Sequence, residues 1–153
     1  MTRPSQGSLI AQNKKARHLY VLIDTIEAGI ALTGSEIKSL RAGQVNFRDS
    51  YIDFRQNEAF LIGLHIAPYA NAGYAQHESG RDRKLLLHAA EIHRLALHAA
   101  QKGLTIVPTR LYFKNSRVKV EIATAKGKKL YDQRQDLKQR AESRDTEREL
   151  SKW

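Results

Sequence analysis

Apolar and charged residues alternate most regularly over residues 117–123. Val118, Val120 and Ile122 are separated by charged residues, which is typical of a strand with one face in a core and the other in solvent. Four further stretches are rich in β-branched, aromatic and other large apolar residues, and we predict strands there: 19–32, 49–55, 59–66 and 104–113. The chain is therefore predicted to be mainly β.

Residues that interrupt these strands predict how they bend and connect. The segment Glu27-Ala28-Gly29 breaks the first stretch, which predicts a long bent strand or a bulged pair. Pro108 lacks a backbone N–H, so its strand is expected at a sheet edge or with a bulge. Polar segments at 56–58 and 114–116 predict the turns of two hairpins.

Two other segments follow a helical pattern. Thr33 and Glu36 have the spacing of a capping box, and Gly43 marks the end of the short helix that follows. A second helix is predicted over about residues 89–102, because apolar residues recur there with helical spacing and Gly103 follows. Several short strands with two or three short helices favour a small closed antiparallel β-barrel of the oligonucleotide-binding (OB) type.

Net charge divides the chain into two parts. The 153 residues include 26 Lys and Arg against 16 Asp and Glu, a formal net charge of +10. The whole excess falls within residues 1–129, whereas residues 130–153 carry six cationic and six anionic side chains. We therefore predict a barrel with a basic N-terminal arm over 1–129 and a separate charged C-terminal tail over 130–153.

The tail has few apolar residues and is expected to be disordered or a marginal helix. It is either a solvated end without a function or a segment that orders on contact with a partner, and the residues alone favour neither.

Composition excludes or disfavours several classes of protein. Cysteine is absent, which excludes a disulfide scaffold and suits the cytoplasm. The longest stretch without a charged residue, 59–77, contains histidines, amides and a proline, so a membrane span is not expected. The usual phosphate-loop, nucleophile-elbow and zinc-protease motifs are missing.

Two constellations could still suggest an active site. His88, His93 and His98 are five residues apart, which turns each about 140° from the last on a helix, so they do not converge on a metal. Asp49 and Asp53 could form an acidic pair, but neighbouring arginines make ordinary surface charge the better interpretation. We therefore expect no enzyme, no metal and no cofactor.

Cationic residues form three clusters within residues 1–129. The clusters are Lys14, Lys15, Arg17 and His18 after Asn13; Arg81, Arg83 and Lys84; and Lys114, Arg117, Lys119, Lys126, Lys128 and Lys129. Aromatic residues on which unstacked bases could stack lie near the first and third clusters: Tyr20, Tyr112, Phe113 and Tyr131. Nucleic acid is therefore the favoured partner, ahead of an anionic membrane surface, and a general single-strand-binding or ribosome-associated OB-type protein fits these features.

Seven segments together resemble a known family. They are 10–18 (IAQNKKARH), 27–32 (EAGIAL), 34–43 (GSEIKSLRAG), 49–51 (DSY), 83–87 (RKLLL), 111–115 (LYFKN) and 125–129 (AKGKK). In order and spacing they resemble the SmpB family, the SsrA-binding or tmRNA-binding proteins of bacteria.

The resemblance implies an OB-type barrel that binds the tRNA-like domain of tmRNA and delivers it to stalled ribosomes for trans-translation, a form of ribosome rescue. The RNA contacts it implies are made by Asn13, Lys14, Lys15, Arg17, His18, Glu27, Leu86, Lys119, Lys126, Lys128 and Lys129. The tail would probe the empty decoding site of the small ribosomal subunit and the mRNA channel, through Tyr131, Asp132, Gln133, Arg134, Lys138 and Trp153. No cofactor and no membrane are implied, and we expect a monomer.

Three of these residues are unusual as phosphate contacts. Gln133 stands where the family usually has lysine, so it can donate hydrogen bonds to RNA but brings no charge. Glu27 would repel phosphates, so it is expected to accept from base amines or to orient a neighbouring Lys or Arg. Leu86 could contact a sugar or base, or pack in the barrel core.

Overall fold

The computed structural model describes residues 8–69 and 77–128. Within these ranges the chain forms nine strands and three helices. In chain order they are β1 Leu9–Gln12, α1 Lys14–Leu19, β2 Tyr20–Ile30, α2 Gly34–Arg41, β3 Val45–Asn46, β4 Tyr51–Arg55, β5 Glu58–Ile62, β6 His65–Ile66, β7 Arg83–Leu86, α3 Ala89–Ala100, β8 Leu104–Lys114 and β9 Arg117–Gly127.

Antiparallel pairing joins seven of these strands into one sheet with the order β1-β8-β9-β2-β7-β5-β4. Strands β3 and β6 form a separate antiparallel pair. The expectation of a mainly β, antiparallel fold with short helices is therefore confirmed for the described residues. Strands β8, β9 and β2, each of eleven residues, lie side by side and form the longest part of the sheet.

The β8–β9 hairpin confirms the predicted strand pattern. Asn115 and Ser116 form its turn, with φ angles of 51° and 64°. The register between the strands shifts between Pro108 and Arg110, so the proline is accompanied by a bulge. Strand β8 is not at an edge, because it lies between β1 and β9.

Strand β2 corrects one expectation. It continues through Glu27-Ala28-Gly29 without a break, and its register shift lies earlier, between Leu22 and Asp24. Gly29 lies within β2, and its missing side chain leaves room for β7, because a Cβ at this position would lie only 3.1 Å from Leu86 Cβ. The glycine therefore permits a close strand pair.

The predicted hairpin over 49–66 is also shorter than expected. Strands β4 and β5 pair across Gln56 and Asn57, whose φ angles of 49° and 63° form a tight turn. The second strand ends at Ile62 because Gly63 adopts a φ of 84°, and His65 and Ile66 pair with β3 instead.

Two helices were predicted and one was not. Thr33 and Glu36 form the expected capping box of α2, and α3 ends near its predicted limit. Helix α1 and strand β1 were not predicted, and they occupy part of the segment expected to form the basic N-terminal arm. In the described ranges no helix is long and apolar enough to cross a membrane.

The main hydrophobic core lies on the inner side of the sheet. Alternate residues of β8 and β9 point into it, as the sequence pattern predicts, and α3 closes it from one side with the buried Leu95. The core side chains include Ala28, Ile30, Leu61, Leu85, Leu95, Ile106, Leu111, Val118, Val120 and Ile122.

Candidate nucleic-acid interface

The outer side of strands β2, β8 and β9 carries one group of the polar side chains that could contact RNA. Leu111 of β8 and Val118 and Val120 of β9 point into the core. Their neighbours along each strand therefore point outward. We call this surface the sheet face, and it comprises Glu27 of β2, Arg110, Tyr112 and Lys114 of β8, and Arg117, Lys119 and Glu121 of β9.

Strand register brings three of the predicted RNA-binding residues together. Gly29 of β2 pairs with Lys119 of β9 on one side and with Leu86 of β7 on the other. Glu27 lies two residues away on β2, and all three side chains line one open groove of about 650 Å³. Residues from distant parts of the sequence thus form one surface.

Leu86 lies on the surface and not in the core. It is 56% exposed, whereas its neighbour Leu85 is 1% exposed and belongs to the core. Of the two alternatives for Leu86, packing in the barrel core is therefore wrong. An exposed leucine beside cations offers an apolar surface to a base or sugar.

Glu27 is tied to strand β8 by two side chains. The Tyr112 hydroxyl donates a hydrogen bond to Glu27 Oε2, and Lys114 Nζ lies 3.3 Å from both carboxylate oxygens. The hydrogen bond from Tyr112 and the nearby Lys114 and Lys119 hold the pKa of Glu27 below its usual value, although burial opposes them. The carboxylate is therefore an ionised acceptor at neutral pH, and its contact with Lys114 fits one of the two roles expected of it.

Helix α1 is anchored by Asn13, which is only 5% exposed. Its Oδ1 accepts from the N–H of Ala16 at 3.1 Å, and its Nδ2 donates to the carbonyl of Pro108 at 2.8 Å, beside the β8 bulge. Ala16 packs against Val107 and Ala125 on the strands below. The side chain of Asn13 is thus occupied within the protein and positions the helix.

The cationic side chains of α1 remain accessible to solvent when the helix packs on the strands. Lys14, Lys15 and Arg17 are exposed, and His18 is half-buried. Their helix also lies next to the end of β9, because the backbone N–H of Lys128 donates to the carbonyl of Leu19 at 2.9 Å. The first cluster and part of the third cluster therefore meet, with Lys126 exposed beside them.

The groove that contains Lys119 and the cationic area formed by α1 and the end of β9 lie at opposite ends of β9. Lys119 lies at one end, and Ala125, on which α1 packs, lies six residues further along the strand, a separation of about 20 Å. Lys129 and the predicted tail contacts lie outside the described residues: Tyr131, Asp132, Gln133, Arg134, Lys138 and Trp153.

The second predicted cluster is not a basic surface. Arg83 is fully buried and donates to Glu36, and Arg81 donates to the same carboxylate. Lys84 is exposed but forms an ion pair with Glu58 at 3.2 Å. The sequence pattern was misleading because Glu36, the partner of both arginines, lies more than 40 positions away.

Two predicted stacking residues are also corrected. Tyr112 is only 7% exposed, so its ring is not available to a base, and Phe113 packs against the core. Arg110, which the sequence did not single out, lies over the Tyr112 ring at 5.1 Å from the centroid and forms an ion pair with Glu121 at 3.3 Å. The alternation of inward and outward residues along β8 could have placed Arg110 on the outer side, but the bulge at 108–110 interrupts this alternation.

The residues considered for catalysis have ordinary partners. Asp49 pairs with Lys15 at 2.6 Å, and Asp53 pairs with Arg55 at 2.8 Å. His98 Nδ1 lies 3.0 Å from Thr124 Oγ1. Among the described residues, no cluster of three or more His, Asp or Glu side chains could hold a metal ion.

The fold and this surface define a small, mainly β protein with a cationic sheet face and a short cationic helix. A family model described as SmpB protein matches residues 10–152, and the chain belongs to this family. It is 68% identical to the SsrA-binding protein of Nitratidesulfovibrio vulgaris over 100% of both chains. It is 66% identical to that of Oleidesulfovibrio alaskensis, over 97% of this chain and 96% of the relative.

The chain is also similar to an SmpB chain in a solved structure. The structure is described as "tmRNA-SmpB: a journey to the center of the bacterial ribosome", and the similar chain is 47% identical with a TM-score of 0.69. The match covers 80% of this chain and 87% of the other.

Proposed function

We propose that this chain is an RNA-binding adaptor that binds the tRNA-like domain of tmRNA and delivers it to stalled ribosomes for trans-translation. The observation that carries the proposal is the 68% identity, from end to end, to an SsrA-binding protein. The family model matches residues 10–152, and proteins of this family bind RNA and catalyse no reaction.

The surface supports RNA binding in physical terms. Lys119 has no hydrogen bond or ion pair within the described part of the chain, so its charge is available to a phosphate. With Glu27 and Leu86 it would form one contact area, and α1 with the end of β9 would form the other. The RNA-binding residues of the second area are Lys14, Lys15, Arg17, His18, Lys126, Lys128 and Lys129, whereas Asn13 acts by holding α1 in place.

The proposal includes a closed barrel and a division of the chain into a barrel and a tail. Strand β4, at one end of the sheet order, lies against β8 near the other end, which supports a closed OB-type barrel. We infer that the barrel region 1–129 holds the RNA and that the tail, residues 130–153, enters the empty decoding site and mRNA channel. A monomer in the cytoplasm, where ribosomes are found, fits this role.

A competition experiment tests the function. A labelled tRNA-like domain of tmRNA bound to the full chain should be displaced by the same unlabelled RNA far more readily than by single-stranded RNA of equal length. Equal competition would instead indicate a general single-strand-binding protein.

Lys119→Ala gives a matched test of the site. Loss of one phosphate contact should weaken binding and reduce the slope of log affinity against log salt by up to about one unit. Lys102→Ala is the control, because Lys102 is an exposed cation after α3, away from the sheet face. Equal slopes for both variants would place Lys119 off the RNA.

A further inference from the structure

The sheet face contains two carboxylates opposite each other. Glu27 of β2 pairs directly with Glu121 of β9 in the strand register. Like charges in this position destabilise a sheet, so the arrangement needs compensation. Glu121 accepts from Thr109 and pairs with Arg110, and Glu27 accepts from Tyr112 and Lys114.

The two carboxylates differ in how much of each side chain remains exposed to a ligand. The Glu27 side chain is 37% exposed and that of Glu121 is 19% exposed. An ionised carboxylate has about four lone-pair positions, and Tyr112 and Lys114 occupy those on the β8 side of Glu27. Glu27 also lines the open groove that contains Leu86 and Lys119, so its exposed part is accessible from that groove.

At Glu27 this groove is better suited to bind a nucleobase than to bind a phosphate. A carboxylate repels phosphate oxygens but accepts from the exocyclic amino group of a base. Lys119 stands beside it as a cation for the adjoining phosphate, and the exposed Leu86 side chain can contact the base face. One nucleotide could therefore contact all three residues.

We propose that Tyr112 is a positioning residue that holds the Glu27 carboxylate as an acceptor for the exocyclic amino group of an unstacked RNA base. The inference rests on the proposed function and specifies what this part of the interface recognises. Tyr112 acts through its hydroxyl group, since its ring is buried under the side chains of the sheet face.

The protonation states agree with this geometry. The Tyr112 hydrogen bond, with Lys114 and Lys119 nearby, lowers the pKa of Glu27, so the carboxylate has no proton to donate at neutral pH. Burial and the contact with Glu27 raise the pKa of Tyr112, so the hydroxyl remains a donor. The pair therefore keeps one direction, with tyrosine donating and glutamate accepting.

The base preference can be read directly at Glu27. The full chain, with its Glu carboxyl carbons labelled with ¹³C, would be titrated with oligocytidylate and oligouridylate of equal length. The two have the same phosphates and riboses, and cytosine has an amino group where uracil has a carbonyl. We expect oligocytidylate to shift the Glu27 carboxyl resonance more; equal shifts, including none from either, overturn the assignment.

The role of Tyr112 is tested by Tyr112→Phe, which removes the hydroxyl and keeps the ring. We expect the pKa of Glu27 to rise and the affinity for the tRNA-like domain to fall about three- to tenfold, as for loss of one hydrogen bond. Tyr69→Phe, at a tyrosine whose ring lies near Lys38 of α2, is the control and should change neither quantity.

A double-mutant cycle separates positioning from a structural role. If the hydroxyl acts through Glu27, Tyr112→Phe should add no further loss of affinity to Glu27→Gln. Additive losses would show that Tyr112 acts independently and would overturn the proposal. The proposed function is judged separately, because the wild-type preference for the tRNA-like domain does not depend on the outcome of this cycle.

Discussion

Glu36 shows how far one buried residue organises this protein. Its side chain is fully buried, yet it accepts from the backbone N–H of Thr33 and from the guanidinium groups of Arg81 and Arg83. Burial alone would raise the pKa of Glu36, but these hydrogen bonds outweigh it and hold the pKa below its usual value. The capping box of α2 is thereby joined to the strand that presents Leu86.

Glu36→Gln should therefore destabilise the fold strongly. It leaves the buried Arg83 charge without its partner, which costs about 3–5 kcal/mol. Glu58→Gln is the control, because Glu58 pairs with Lys84 on the surface, where such pairs contribute about 0–1 kcal/mol. Urea unfolding of both variants and the wild type measures the difference, and similar losses would contradict the structural role of the buried pair.

The same residue gives a pH dependence with a definite sign. Since folding lowers the pKa of Glu36 below its usual 4.5, its ionised form stabilises the native state above that value. The stabilisation is lost as the pH falls through the lowered pKa. The stability difference between wild type and Glu36→Gln should shrink as the pH falls below 4.5; a constant difference would argue against an ionised Glu36.

At the level of elements, helix α1 depends on its surroundings. A six-residue helix is not stable alone, so its position comes from the Asn13 cap and from the contact of Ala16 with the sheet. Asn13→Ala should cost about 1–2 kcal/mol in unfolding free energy, and it should also weaken RNA binding because the cations of α1 lose their positions. Arg17→Ala should weaken RNA binding with little change in stability, since Arg17 is exposed.

Comparing the two variants by urea unfolding and RNA titration distinguishes a positioning residue from a contact residue. If Asn13→Ala weakens binding while stability and the α1 fold remain intact, Asn13 contacts RNA directly.

Local patterns predicted the elements whose signals are local. Val118, Val120 and Ile122 identified β9, Thr33 with Glu36 identified the start of α2, and the turn segments identified both hairpins. Helix α1 has no apolar stripe, and its anchor is a carbonyl 95 positions away in the sequence. No pattern within a short window could show it.

The resemblance predicts which residues form the candidate site, but no local pattern predicts their geometry. The resemblance named Glu27, Leu86 and Lys119, but their meeting depends on the register of three strands. The burial of Arg83 and the hydroxyl contact of Tyr112 depend on partners 47 and 85 positions away. Charge and aromaticity along the sequence therefore assigned Arg83 and Tyr112 surface roles that long-range contacts rule out.

At the scale of the whole molecule, charge separates two tasks. Residues 1–129 carry the entire net charge of +10, and residues 130–153 are neutral overall. Non-specific attraction to RNA depends on cations that displace counterions, so the first part should supply nearly all the affinity for free tmRNA. The neutral tail would then contribute after the complex reaches the ribosome.

Deleting residues 130–153 should therefore separate binding from delivery. Affinity for free tmRNA should remain nearly unchanged, whereas tagging of nascent chains on stalled ribosomes should be lost in a reconstituted translation system. Lys119→Ala should give the opposite pattern, with weaker binding and with tagging restored by excess protein, because only the first step is impaired. A large loss of tmRNA affinity on tail deletion would show that the tail shares in holding the RNA, and the division of tasks by charge would then be wrong.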